Sequence, residues 1–257
     1  MTILPLGTNG FFPSFNRQTA CYAIPHGDTL IILDAGSGLF RLAEEGGKAL
    51  LTNVKNIHLF LSHYHLDHTF GFYAAFNLLK EKNVTVFGME KKKVFSELPS
   101  LGYFPIQYEK EHGHIQWIKL KEGKQEIADY AVSVRRQYHR GEGSLAFRFS
   151  FGMAYVTDSE PNSESIAFVK GVPLLLHEHN EESPNTRNDS PLEEYIYGGH
   201  VTTHGAAMIA KLAKVGKLAL IHHSPFAPWT KLEMQRKRAA EVFAHTILTK
   251  DMDRIEW

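Results

Sequence analysis

Two hydrophobic periodicities alternate along this chain. Short apolar stretches at 2–6, 19–24 and 29–34, punctuated by Gly, Pro and Asn turns, predict three strands at the front. Residues 37–45 place Leu39, Leu42 and Ala43 at helical spacing, so a short helix is predicted after the third strand. An apolar run at 57–61 ends in a loop, and 70–80 returns to the helical period. A strand is predicted at 84–87 and a helix at 91–98. From 115 to 157 the pattern is mostly that of strands, at 115–120, 131–138, 145–151 and 153–157. Buried strands at 174–177 and 218–222 bracket a helix at 203–215, and a last helix covers 232–245. Strands then helices, twice over, predict a layered α/β arrangement of packed sheets with helices outside. No stretch reads as a linker and no short repeat is visible, so one domain spanning 1–257 is expected. The polar segment 181–189 reads as a solvated connection, and the aromatic-rich 99–108 as cover for the core.

Composition narrows the class. The 257 residues include 28 Lys plus Arg against 28 Asp plus Glu, which excludes a uniformly basic nucleic-acid binder. The basic cluster Lys231, Arg236, Lys237 and Arg238 reads as a solvated helix face. A single cysteine, Cys21, excludes an internal disulfide and any cysteine-based zinc or iron–sulfur site. No run approaches the ~18 apolar residues of a membrane span, and no signal segment opens the chain, so a cytoplasmic protein is expected. Fifteen histidines are the anomaly.

Their placement carries chemistry. His63-Tyr64-His65-Leu66-Asp67-His68 puts four metal-competent side chains within six residues, directly after the 57–61 strand. In an extended loop His63 and His65 point the same way because side chains alternate. Asp67 and His68 fall where the chain turns into a helix and can reach a second position. Two metals roughly 3.5–4 Å apart could share such a loop. Imidazole suits Zn, Fe, Ni and Cu, and a carboxylate also tolerates Mn.

This hexapeptide resembles the HxHxDH signature of the metallo-β-lactamase fold superfamily, and the resemblance spans nearly the whole chain. Leu6-Gly7-Thr8-Asn9-Gly10 with Arg17-Gln18-Thr19 is similar to the start of the ribonuclease Z and phosphodiesterase branch. Ile32-Leu33-Asp34-Ala35-Gly36 resembles the strand and turn before the metal loop. Gly199-His200-Val201-Thr202 and Leu220-Ile221-His222-His223-Ser224-Pro225 look like the late motifs of that branch. The resemblance implies a four-layer αββα sandwich. It also implies a first metal site of His63, His65 and His139, and a second of Asp67, His68 and His222, with Asp158 bridging. His223 competes with His222, since strand neighbours face opposite ways; the resemblance favours His222 as the ligand, with His223 lining the cleft. Zn is the metal it favours, with Mn and Fe admissible.

Two divalent metals less the charges of Asp67, Asp158 and a bridging hydroxide leave a centre of about +1, a trap for an anion such as a phosphodiester. The hydroxide would attack phosphorus, and His200, just before a helix capped by Thr202 or Thr203, is the candidate to assist phosphate binding and protonate the leaving group. Asp67 would also orient the water. His177 and Glu178, ending a buried strand, look like a segment supporting the same cleft. Only eighteen residues separate His139 from Asp158, which leaves no room there for the transfer-RNA arm of ribonuclease Z. Gly-His-Val-Thr also replaces the branch's more usual Gly-His-Ser-Thr. A short dinuclear phosphodiesterase of small or cyclic, nucleotide-like or sugar-like diesters is therefore expected, with nucleic acid disfavoured as a partner and a homodimer common in the family. The alternatives are a thioester or lactone hydrolase on the same metals, a ribonuclease Z-type endonuclease, and a metal-stabilised scaffold without turnover.

Overall fold

The computed structural model describes every residue except 75, 91–94, 96, 98–114, 140, 142 and 182–190. The described chain divides into two compact units, Met1–Leu120 with Lys250–Glu256, and Lys121–Thr249 with Trp257.

The first unit is built on a seven-stranded sheet. Its strands are β1 (Thr2–Gly7), β2 (Cys21–His26), β3 (Thr29–Leu33), β4 (Asn56–Phe60), β5 (Asn83–Gly88), β6 (Gln116–Lys119) and the C-terminal β16 (Ile255–Glu256), in the order β16-β1-β2-β3-β4-β5-β6. β1 to β3 form an antiparallel meander, and β3 to β6 run parallel. Parallel neighbours need crossovers, and the β4–β5 crossover carries helices α2 (Leu66–Ala74) and α3 (Phe76–Leu79). Leu30, Ile32, Ile57 and Leu59 from the strands pack with Leu39, Phe72 and Phe95 into one core.

The predicted helix at 37–45 is a 3-10 turn, Ser37–Ala43, followed by α1 (Glu45–Leu51). The Gly46-Gly47 pair hid α1 because glycine disfavours helix. Gly47 is needed there: a Cβ on it would lie 1.9 Å from the Arg41 carbonyl. The helix expected at 70–80 begins earlier, at Leu66.

The second unit holds β7 (Gly123–Ile127), β8 (Tyr130–Gln137), β9 (Ser144–Phe149), β10 (Met153–Val156), β11 (Leu174–Glu178), β14 (Lys217–Ile221) and β15 (Thr246–Leu248), in the order β15-β14-β11-β10-β9-β8-β7. β7 to β10 are antiparallel, and β10, β11, β14 and β15 are parallel. Helices α4 (Ser163–Val169), α5 (Thr203–Leu212) and α6 (Trp229–Val242) belong to this unit, with a two-stranded hairpin of β12 (Ile196–Tyr197) and β13 (His200–Val201). Ala206, Ile209 and Ala210 of α5 pack with Val156, Leu175, Leu218 and Leu220 of the sheet. The pattern missed β7, a solvated edge strand of mostly polar residues, and α4, whose signal is the capping box of Asn162 and Ser165 rather than an apolar stripe.

The helix expected at 91–98, apart from Phe95 and Glu97, the segment 99–108 and the polar loop beyond Glu181 lie outside the described residues. No helix among the described residues is long and apolar enough to cross a membrane.

Candidate functional site

Each unit collects its chemistry at the carboxyl ends of adjacent parallel strands. Three positions there share an uncommon conformation: Asp34 after β3, Asp158 after β10 and His222 after β14 have φ of 56°, 47° and 56°. Such left-handed turns bend the chain sharply, and Asp and His are among the residues that tolerate them.

In the first unit, β3 and β4 end side by side, and the Asp34 amide donates to the Phe60 carbonyl at 2.8 Å. The fully buried Asp34 carboxylate accepts from the Ser62 amide (2.7 Å), the Ser62 hydroxyl (2.8 Å) and His68 Nδ1 (2.8 Å). Hydrogen bookkeeping then fixes the tautomer each ring takes when neutral. His68 Nδ1 carries the proton it gives to Asp34, so the neutral ring has its lone pair on Nε2. Ser62 spends its only hydrogen on Asp34, so His63 Nδ1, 3.1 Å from Ser62 Oγ, is the donor there, and the neutral His63 ring has its lone pair on Nε2. That nitrogen lies 2.9 Å from His65 Nδ1. The rings of His63 and His68 are 4.3 Å apart. Asp67 Oδ2 accepts from the Phe11 amide at 2.7 Å and lies 3.4 Å from His68 Nε2. The expectation that His63 and His65 face together, with Asp67 and His68 on the first turn of a helix, describes this loop.

Close backbone packing seats that helix. A Cβ on Gly36 would fall 2.1 Å from the Asp67 carbonyl, and one on Gly71 would fall 2.1 Å from the Gly36 carbonyl.

The second unit gathers Asp158, Glu178, His200 and His222, whose ligand atoms all lie within 4.8 Å of one another. Asp158 Oδ2 accepts from the Thr157 hydroxyl at 2.7 Å and faces His222 Nε2 at 3.3 Å. Its Oδ1 lies 3.5 Å from His139 Nε2 and 3.7 Å from His200 Nδ1. His139 follows β8 and is buried, with Nδ1 3.3 Å from the Gly199 carbonyl. Burial lowers its pKa, against the pull of the Asp158 and Glu178 carboxylates, which favours the neutral form a ligand needs.

Glu178 is fully buried. Its carboxylate accepts from the Ser159 amide at 2.5 Å and pairs with His200 Nδ1 at 2.7 Å. His200 sits in the β12–β13 hairpin and keeps about a fifth of its side chain exposed. Thr202, one of the two expected caps, accepts from the Gly205 amide at the start of α5.

Strand alternation separates the remaining histidines. His223 is buried and commits both ring nitrogens, Nδ1 to His179 Nε2 (2.8 Å) and Nε2 to the Thr249 carbonyl (2.8 Å). It does not line a cleft, contrary to expectation. His177 is likewise buried, with Nδ1 2.9 Å from the Glu178 carbonyl, and has no surface for substrate. Sequence reasoning passed over Asp34 as a side chain with a task; an aspartate ending an apolar strand in the segment that precedes the ligand loop was the available signal. It also passed over His179, whose pKa burial holds well below the usual imidazole value.

Residues 29–223 match the Beta-lactamase superfamily domain. The chain belongs to this family. It is also similar to the ribonuclease Z of Pyrococcus horikoshii, 24% identical with 98% of this chain and 95% of that protein covered. Among solved structures it is similar to the metallo-beta-lactamase fold protein YhfI from Bacillus subtilis, with a TM-score of 0.72 at 22% identity, covering 99% of each chain. A diphosphatase from the PhnP family superposes with a TM-score of 0.74 at 16% identity, covering 100% of this chain and 96% of that one. The fold is therefore α/β of the metallo-β-lactamase type.

The donor chemistry fits divalent metals. In each unit imidazole nitrogens and carboxylates converge, and hydrogen bonds to His63, His68, His139 and His200 hold ring nitrogens from behind, as metal ligands require.

Proposed function

We propose that this protein is a metal-dependent phosphodiesterase acting on a small or cyclic, nucleotide-like diester. His63, His65 and His139 would hold one divalent metal, Asp67, His68 and His222 a second, with Asp158 shared between them. This assignment follows the order of the family motifs along the chain. When bound, such metals supply Lewis acidity, polarising phosphoryl oxygens and making water more acidic; zinc is favoured, with manganese or iron admissible.

The observation that carries the phosphodiester reading is the pair of His200 with buried Glu178 beside Asp158. Glu178 accepts the Nδ1 proton and so orients the ring with Nε2 pointing away from the carboxylate. In the imidazolium form, Nε2–H is the proton that a departing alkoxide needs, and the Glu178 charge offsets that of the ring. The Ser159 amide holds the other Glu178 oxygen, so the carboxylate cannot turn away. His222 rather than His223 is the fitting ligand, because both nitrogens of His223 are already engaged.

Ribonuclease Z-type cleavage of RNA is the second reading, supported by the name of the P. horikoshii relative. The alignment with that relative runs over 306 positions, more than the 257 residues of this chain, so the relative has stretches without a counterpart here. This favours the smaller substrate. A thioester or lactone hydrolase would leave the His200–Glu178 pair without a task.

The test is hydrolysis of bis(p-nitrophenyl) phosphate by protein reconstituted with Zn or with Mn, beside Asp67→Ala. Turnover lost in the variant is expected. A protein that holds two metals, cleaves thioesters or lactones and leaves diesters intact would overturn the proposal.

A further inference from the structure

Residues 9–17 of the first unit form a tightly tied loop that displays phenylalanine rings beside the ligand loop. Asn9 Nδ2 donates to Ser14 Oγ (3.0 Å) and the Phe12 carbonyl (3.3 Å), and Arg17 Nε donates to Asn9 Oδ1 at 2.5 Å. The Arg17 amide closes the turn onto the Ser14 carbonyl at 2.9 Å. On this frame Phe11 is 72% and Phe15 56% exposed. Both have left-handed backbone, with φ of 61° and 49°.

A bulky residue at positive φ is disfavoured, and a solvent-facing ring recovers little of that cost through burial. The Phe15 ring has the Arg17 guanidinium over it. Among the ring contacts of the described residues, the Phe11 ring meets only the neighbouring Phe12 ring, so folding alone would favour glycine or asparagine at position 11. Strain retained against such a preference points toward a task. The location suggests which: the Phe11 amide is itself the donor to Asp67 Oδ2 at 2.7 Å, so its ring is one residue's reach from a candidate ligand. Leu66 and Phe70, four apart on α2 and therefore on one face, flank Asp67 and are 59% and 44% exposed. The charge pattern argues against a polyanion. Residues 9–17 contain one cation, Arg17, and it is buried, its guanidinium lying 5.2 Å over the Phe15 ring. Phosphate backbones are gripped by exposed Lys and Arg, whereas flat rings stack on aromatic side chains. The second unit repeats the pattern, since Tyr138, adjoining His139, is 71% exposed.

We propose that Phe11, with Phe15 beside it, is a stacking site for an aromatic ring, a nucleobase or aryl group, on the part of the diester that the enzyme retains. This rests on the phosphodiesterase reading and narrows its substrate class.

The experiment compares two diesters with the same leaving group, thymidine 5′-(p-nitrophenyl phosphate) and methyl p-nitrophenyl phosphate, in the parent, Phe11→Gly and Phe11→Trp. Glycine suits the Phe11 backbone, so this variant removes the ring without endangering the fold, which thermal unfolding checks. The parent should prefer the thymidine ester in kcat/KM. Phe11→Gly should lower that preference roughly tenfold, mainly through KM, and Phe11→Trp should keep it. An unchanged preference in Phe11→Gly would overturn the proposal. So would an unchanged preference accompanied by loss of self-association in sedimentation, which would mark the patch as a contact with a second copy. If the parent cleaves neither ester, the phosphodiesterase reading fails, and binding of thymidine monophosphate against methyl phosphate by calorimetry decides the stacking site separately. A parent that binds thymidine monophosphate about tenfold more tightly than Phe11→Gly does supports it, and equal binding by both proteins overturns it.

Discussion

Replacing Asp34 by Asn tests whether the first unit's ligands are oriented from behind. Asn tolerates the left-handed backbone at this position, so the turn should survive. Its carbonyl oxygen can still accept from the Ser62 amide. The Ser62 hydroxyl can rotate to accept from the new amide. His68 has no such freedom: its Nδ1–H, 2.8 Å from Asp34 Oδ2, would face an N–H. The ring must lose that bond or move its proton to Nε2. A hydrogen bond to a charged acceptor contributes about 1.5–3 kcal/mol, so metal-free Asp34→Asn should be about 2 kcal/mol less stable. With the proton on Nε2, the nitrogen assigned to metal is blocked, and removing such an outer partner typically weakens metal binding 10–100-fold. Urea unfolding of stripped protein reads the first number, and zinc competition against a chromophoric chelator reads the second. A variant with the parent's unfolding midpoint and zinc affinity would refute the reasoning, because neither tautomer control nor burial of the carboxylate would then matter.

His200→Ala should cost roughly 10²-fold in kcat for a diester with an alkyl leaving group and far less with p-nitrophenolate, which leaves without a proton; equal losses on both would exclude a general acid. Gly71→Ala should destabilise by about 2 kcal/mol or more despite alanine's helix preference, since its Cβ would meet the Gly36 carbonyl; a raised melting temperature would contradict the packing. His177 and His179 are buried with pKa values below the imidazole reference of 6.5. The unfolded chain therefore binds more protons as pH falls through about 6.5, and stability, complete above that value, should fall with pH below it, by at most about 1.4 kcal/mol per pH unit for each. Urea midpoints of metal-free protein between pH 7.5 and 5.5 measure the slope, and His179→Gln should flatten it. Phe11→Gly should melt at or slightly above the parent temperature, because relief of left-handed strain, about 1–2 kcal/mol, offsets glycine's extra unfolded-state entropy; a clear loss of stability would show that the ring packs.

The sequence by itself determined what depends on local order. Strands such as 29–34 and 57–61 announced themselves by continuous apolar runs, and the spacing of His63, His65, Asp67 and His68 stated a ligand loop because extended chain alternates its side chains and a helix begins at Leu66. The motifs also named the family, which the match across 29–223 bears out. Elements whose stability is not written in an apolar period escaped: α1 behind its two glycines, β7 at a polar edge, and β15 and β16, each of three residues or fewer. Only tertiary structure decided how side chains far apart in sequence are joined. Asp34 reaches His68 because β3 and β4 are parallel neighbours, and Glu178 reaches His200 because a hairpin brings the chain back to the end of β11. It also separated His222 from His223, adjacent in sequence and alike in chemistry. One faces Asp158, while the other is sealed between His179 and Thr249. A turn at a strand end sends neighbouring side chains in opposite directions, and which of them meets a carboxylate depends on what the rest of the fold has placed there.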